Sequence, residues 1–417
     1  MIKKIIITFF IIFTSTGIVY AQDILSFEEA ISGDKHIYQF PKIKPEAAIT
    51  PGYWYVNRSG SKGSGEYEYL ENSVSLSGHF RAYPFPHRVF LNLCMKNTKD
   101  YCVDARYAYG NAVLARFLDR AFFHNLENIT LFDPYVSTVN PGVDVKDAGE
   151  KYGVQGRTNT FFLRAKAPGY PAHLNFSGWL VSKDGTAQQR SLLGSGYYNN
   201  LVRASRNRDV DQQMSQYTVG INSHLGPVEA DVSHTQKQLE VNGYSFLSDT
   251  YTGSTFTPAG EYRHNLIPEL KGSSTTFKLH TDYTGRLVAS ATVSKKTREN
   301  LENSSTAEYF SGSAGLTYIP IEKLNIFLRY SRKDMDVDNP LKPSISSATD
   351  TVSMLVKYRL PVRASLRAGY TFTGISRDNA GLWGVTDSTK KHTTLISADA
   401  RPLKNLSVRA DYKYRKI

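Results

Sequence analysis

Two cysteines, Cys94 and Cys102, stand in the string CMKNTKDYC on either side of an Asn97-Thr98-Lys99-Asp100 turn. Thiols so placed could face each other across a hairpin. In an oxidising compartment they could join in a disulfide contributing about 2–3 kcal/mol. Two unbridged strand cysteines are the other reading. Neither belongs to a C-x-x-C-H string, so the chain attaches no c-type haem of its own. His79, His87, His124, His173, His224, His234, His264, His280 and His392 are scattered without metal-ligand spacing. His87 and His124 read as polar lumen or turn residues. There is no H-E-x-x-H, G-x-S-x-G, Walker loop or EF-hand series. The expectation is a chain that is not an enzyme and has no catalytic, cofactor or metal site. An outer-membrane hydrolase with a Ser/His pair remains as a reading that no motif supports.

The charged residues are more orderly. Pro320, Pro361 and Pro402 recur at a spacing of 41 residues, counted from the sequence itself. Each is followed by an alternating run: LNIFLRY at Leu324–Tyr330, ASLRAGY at Ala364–Tyr370 and LSVRADY at Leu406–Tyr412. Period-two alternation marks a two-faced β-strand. On the last run Leu406, Val408, Ala410, Tyr412 and Tyr414 share one face, and Ser407, Arg409, Asp411 and Lys413 share the other. A charged residue on a lipid-facing surface at mid-membrane costs about 2–4 kcal/mol. In a membrane barrel the charged face therefore turns to the lumen, which makes Arg329, Arg367, Arg409, Asp411 and Lys413 lumen-facing candidates. Such a lumen is either a water channel or a socket for another polar object. A soluble β-sandwich or β-solenoid also alternates, and there the arginine faces would meet solvent.

The rest of the chain fits an exported barrel. Lys3 and Lys4, the apolar run Ile5–Val19 and the Val19-Tyr20-Ala21 site before Gln22 read as a cleavable signal peptide over residues 1–21. No other run approaches the roughly 20 apolar residues of a membrane helix, a test to which barrels are blind. The 27 Tyr and 21 Phe would furnish aromatic girdles at both membrane interfaces. The net charge of +12 drops by the two signal-peptide lysines. In an exported chain that excess points to anionic lipid headgroups or an acidic partner rather than nucleic acid.

Along the chain, residues 22–51 read as a periplasmic lead-in and 52–417 as one outer-membrane barrel domain. Strand signals occur at Tyr53–Val56, Glu66–Tyr83, Val89–Cys94 and Tyr101–Tyr109, and with less definition at Ala112–His124. Hairpins are expected about Pro168-Gly169-Tyr170-Pro171, Gly226-Pro227 and Gly285-Arg286, followed by the three proline repeats. Residues 133–157 and 183–212 read as polar connections. The fold class is all-β: an antiparallel transmembrane β-barrel of about 14–16 or more strands. Short periplasmic turns lie at Gly226, Gly285, Pro320, Pro361 and Pro402, with long external loops near 235–275, 295–309, 333–350 and 374–391.

Two stretches carry a resemblance. The first comprises Gly65-Glu66-Tyr67 with its alternating run to Phe80, then DYCVDARYAYG at Asp100–Gly110, then Phe122-Phe123-His124-Asn125-Leu126. The second is DQQMSQYTVGINSHLGPVEADVSH at Asp211–His234, with the strand Leu174–Lys183 before it. Together they resemble the MtrB/PioB-type outer-membrane β-barrels, over most of residues 52–240. The resemblance implies a porin-like sheath around an extended multihaem c-type cytochrome, in a porin–cytochrome complex for extracellular electron transfer. The haem would belong to that periplasmic or outer-membrane partner. Members of the family are longer, and this chain ends Tyr412-Lys413-Tyr414-Arg415-Lys416-Ile417 without a terminal aromatic. That ending reads as a C-terminally incomplete chain or a smaller barrel. A general or anion-leaning diffusion porin is the alternative function.

Overall fold

The computed structural model describes residues 44–57, 59, 66–67, 69–126, 128, 142–145, 147, 150–166, 169–193, 202–251, 258–281, 286–339, 344–361, 363–403 and 405–417. The segment read as a signal peptide, most of the stretch read as a lead-in and the turn expected at Gly285 lie outside them. The described chain is all-β apart from one short 3-10 turn at Ala380–Trp383, and antiparallel apart from one short parallel pairing, the strand plan of the expected barrel class. Eighteen strands belong to one sheet and two form a separate hairpin. By its contacts the chain divides into two units.

One unit comprises Met1–Pro168, Ser177–Ser215 and Leu239–Ile267. Strands β1 (Glu46–Trp54), β2 (Ser73–Ala82), β3 (His87–Met95), β4 (Tyr101–Tyr109) and β5 (Val113–Leu126) pair in succession. The first strand begins at Glu46, inside the stretch read as a lead-in. A short strand β6 (Gly142–Val145) follows, and β5 pairs onward with β7 (Tyr152–Lys166). The expected order of faces is present. Leu76, Leu91, Ala105 and Phe117 share one side through Leu76↔Met95, Leu91↔Ala105 and Ala105↔Phe117, while Arg81, Asn92, Asp104 and Arg116 lie on the other.

Residues 183–212, read as a polar connection, are largely strand. β8 runs Ala172–Leu193 and β9 runs Val202–Leu225. Their far halves carry no apolar face because they are stabilised by polar side chains instead. β6 adds to β9 in parallel, from Gly142↔Val202 to Val145↔Ser205. Beside it Asp147, 1% exposed, accepts hydrogen bonds from Ser205 Oγ at 2.6 Å, Tyr152 Oη at 2.6 Å and Gln188 Nε2 at 3.1 Å. The strand β10 (Val228–Val241) leads to the separate hairpin β11 (Leu247–Tyr251) and β12 (Gly260–His264). There the buried Asp249 carboxylate pairs with Arg206 of β9 and His264 of β12. Arg208 Nη2 donates to the Tyr244 and Ser245 carbonyls at 2.9 and 3.1 Å.

The other unit comprises Gly169–Phe176, Gln216–Gln238 and Pro268–Ile417. It holds a meander of β13 (Leu270–Thr281), β14 (Leu287–Asn300), β15 (Ser305–Ile321), β16 (Leu324–Asp338), β17 (Ser347–Leu360), β18 (Ala364–Arg377), β19 (Ser388–Leu403) and β20 (Leu406–Lys416). Leu316↔Leu328, Leu328↔Met354, Met354↔Tyr370, Ala368↔Ile396 and Ile396↔Tyr412 carry one apolar face across six of these strands. That face is open: Leu328 is 42%, Ile396 53% and Tyr412 61% exposed. A contiguous apolar surface of this size marks contact with lipid or another apolar phase. Leu406 to Tyr414 spans roughly 27 Å at about 3.4 Å per residue, and a tilt of about 35–45° projects this to roughly 19–22 Å, most of the roughly 25 Å apolar band of a membrane barrel. Tyr318 and Tyr358 lie toward one edge of the band, and Tyr330, Tyr370 and Tyr414 toward the other. Beyond Tyr330 the same face turns charged, with Arg332 bound to Asp334 at 2.9 Å.

The turns differ from expectation in detail. Gly226-Pro227 is a tight hairpin turn, and Gly226 takes φ 65°, open to glycine at no steric penalty. Pro361 does sit in its turn. Pro320 and Pro402, however, lie inside β15 and β19, at register shifts between Tyr318 and Ile321 and between Ala400 and Leu403. Proline has no N–H for the ladder, so the strand bulges there before turning. At the opposite end the strands run on into the expected loops, ending at Asn300, Asp338 and Arg377 and resuming at Ser305, Ser347 and Ser388. The difference in length between the two ends holds, although the loops are shorter than expected.

Two outcomes follow. With the chain folded into lipid vesicles, Leu328→Arg should lower stability in denaturant titration by about 2–4 kcal/mol, whereas Ser331→Arg, on the opposite face, should stay within about 0.5 kcal/mol. Equal effects would reject the assignment of faces. Burial alone would raise the Asp147 carboxyl, but the bonds from Ser205, Tyr152 and Gln188 outweigh it and hold the group below the ordinary value of 3.8. A carboxyl held low contributes stability that is complete above that ordinary value and is lost as pH falls through the folded one. Amide protection of residues 202–205, referred to the intrinsic exchange rate at each pH, should hold from pH 7 to about 5 and decline below about 4, and Asp147→Asn should abolish that decline.

Candidate functional site

The residues proposed for the lumen lie together on one face. In the second unit, Lys357↔Arg367, Arg367↔Ser397 and Ser397↔Asp411 align across β17 to β20. Asp399↔Arg409 and Leu395↔Lys413 lie on the same side, and Arg329↔Ser353 continues it on β16. All five of Arg329, Arg367, Arg409, Asp411 and Lys413 are therefore opposite the apolar face. Asp399 organises this surface, a role the sequence reading did not assign. It accepts from Ser365 Oγ at 2.6 Å and Arg367 Nη2 at 2.8 Å. Arg409 Nε meets Asp411 Oδ2 at 2.7 Å. These pairs are solvated, and pairs of that kind contribute about 0–1 kcal/mol each. Their weight is in the sign of the surface. Lys278, Lys296, Arg298 and Lys357 share the face, so cations exceed carboxylates among the described residues.

The same face gathers histidines that looked scattered. Glu229, just past the Gly226-Pro227 turn, accepts from Asn222 Nδ2 at 2.6 Å. Its Oε2 lies 3.0 Å from His280 Nε2 and 3.5 Å from His224 Nδ1. The His173 ring stands edge-on to that of His224, at 5.6 Å between centroids. Hairpin register and neighbouring strands bring these residues together, and no local spacing announces it. Among the described residues no group of three or more His, Cys, Asp or Glu side chains has an arrangement that could hold a metal ion.

In the first unit, Asp104 on β4 accepts two guanidinium forks. Arg106 reaches it at 3.1 and 2.5 Å, and Arg116 of β5 at 3.1 and 3.0 Å. The Arg106 guanidinium also lies over the Phe90 ring at 4.8 Å. A planar fork fits a carboxylate through two parallel bonds, so this carboxylate sets the positions of both arginines. Cys94 and Cys102 lie on this polar side, as direct cross-strand partners, and both thiols are free.

Three strings of the first stretch that carries the family resemblance converge at one end of β4 and β5. Asp100 accepts from the Tyr69 amide at 3.0 Å, the Phe123 amide at 2.7 Å and Asn97 Nδ2 at 2.6 Å. Asn97 is fully buried, and its Oδ1 accepts from the amides of Lys99 and Asp100. Glu66 Oε1 lies 2.9 Å from His124 Nε2, and Tyr67 stacks on the His124 ring at 4.6 Å. Thus His124 is a polar-face residue. His87 is a turn-end residue, 2.9 Å from the Tyr107 hydroxyl and edge-on to Tyr109.

No family model matches the chain, and neither does any curated protein. Solved structures do. The FrpB iron transporter of Neisseria meningitidis, in its apoprotein form, is 9% identical with a TM-score of 0.43, over 82% of this chain and 59% of that one. The RagAB peptide transporter is 8% identical with a TM-score of 0.44, over 85% and 52%. The outer membrane channel DcaP of Acinetobacter baumannii is 11% identical with a TM-score of 0.33, over 89% and 97%. The chain thus spans little more than half the length of the first two structures it resembles.

Proposed function

We propose that this chain is an outer-membrane β-barrel protein whose polar face surrounds a multihaem c-type cytochrome, holding it and insulating it for electron transfer across the membrane. The observation that carries the reading is the pairing of faces. In the second unit an open apolar band backs a surface that is charged, cationic in balance among the described residues and organised by Asp399. A face built that way suits a polar macromolecule better than lipid, and its cationic balance favours an acidic one. The convergence of Glu66, Tyr67, Asp100, Phe123 and His124 supports the resemblance, because strings separate in sequence form one bonded structure. On this reading the chain contributes no electron-carrying haem to the conduit and no catalytic residue, and the haem resides on the partner.

The cationic excess also favours a second reading, an anion-leaning diffusion porin. The two part in one experiment. The chain is purified from its native membrane in mild detergent, stained for haem, and then reconstituted alone in planar bilayers. The sheath predicts a co-purifying haem-staining partner. A colourless protein that conducts ions alone, with anion selectivity, would replace it with the porin.

A further inference from the structure

We propose that Cys94 and Cys102 form a reversible thiol–disulfide couple across β3 and β4, on the polar face of the sheet. The register sets them directly opposite each other. Which kind of opposition can be read from the ladder. The Lys96 amide donates to the Asp100 carbonyl at 3.0 Å, and the Gly110 amide to the Pro86 carbonyl at 2.7 Å. Both pairs are on the ladder of Cys94 and Cys102, an even number of steps away. The cysteines therefore occupy a hydrogen-bonded pair, whose α-carbons are about 5.5 Å apart. A disulfide spans roughly 4.4–6.8 Å between α-carbons, so this spacing admits one once the β-carbons draw together.

Two further features make the couple reversible rather than structural. Cys94 is exposed and Cys102 half-buried, so a small thiol or disulfide reaches the pair in the folded protein. The hairpin does not depend on the bridge either. Its turn is already held by the buried Asn97, by Asp100 and by the bond of Thr98 N to Ser73 Oγ at 3.1 Å. Accessible disulfides are the exchangeable ones.

The chemistry needs one co-reactant, a disulfide of low molecular mass or of a thiol oxidase. The Cys94 thiolate attacks it and expels one thiol, leaving a mixed disulfide. The Cys102 thiolate then attacks the Cys94 sulfur and expels the second thiol. The two electrons and two protons lost by the cysteines leave with those two thiols, and the reverse sequence restores the dithiol.

The test uses the full chain in detergent, equilibrated with graded ratios of reduced to oxidised glutathione, quenched in acid and alkylated with a maleimide polymer that shifts gel mobility. The expected result is a single transition, from two alkylated thiols to none. The β-sheet circular dichroism should be the same at both ends, and Cys94→Ser should leave one thiol that never bridges within the chain. Persistent alkylation of both thiols in excess oxidised glutathione would overturn the proposal. So would a bridge between chains on a non-reducing gel, or a bridge that is reduced only after unfolding. None of these readouts depends on the membrane or on a cytochrome.

Discussion

The structure rests on the strand ladder and the strict alternation it imposes. A backbone N–H or C=O facing an apolar phase must be bonded within the protein, and lateral pairing does this residue by residue. Once strands are paired, side chains have two directions and no third. The consequence runs through β15 to β20, where Leu316, Leu328, Met354, Ala368, Ile396 and Tyr412 line one side in succession. The charges of Arg329, Arg367, Asp399 and Arg409 collect on the other. Other features of the chain are adjustments to that constraint.

This also explains what was legible before the fold was known. The faces of Leu406–Tyr414 could be read directly, because period two is intrinsic to a single strand and needs no knowledge of neighbours. The opposition of Cys94 and Cys102 could be anticipated because a short turn determines the register of its own hairpin. The cluster of His173, His224, Glu229 and His280 could not be read, because it depends on pairing between hairpins. The far halves of β8 and β9 read as loop in the sequence for a related reason. They lack an apolar side, so the alternation that betrays a strand is missing, and Asp147 and Asp249 take the place of hydrophobic contacts.

The two ends of the strands are built on different principles. Tight turns with glycine or proline finish one end. At the other, in the first unit, the half-buried Asp100 and the buried Asn97, Asp147 and Asp249 tie loops to strand ends. A buried carboxylate with several donors is a directional anchor: removing any one partner leaves the rest with an unmet charge. Loops anchored that way keep a defined surface.

Alternation has a weakness, and the bulge prolines address it. Sliding one strand by a single residue exchanges the two faces and is forbidden by the apolar band. Sliding by two restores every face, so hydrophobicity alone cannot tell the native alignment from its neighbours two steps away. Pro320 and Pro402 can. Each lacks a donor and is accommodated at a local break in pairing next to its turn. A two-residue slip would carry that missing donor into a regular stretch, facing a carbonyl that no other group can reach. In each hairpin one imino acid therefore removes a degeneracy that the whole apolar band leaves in place.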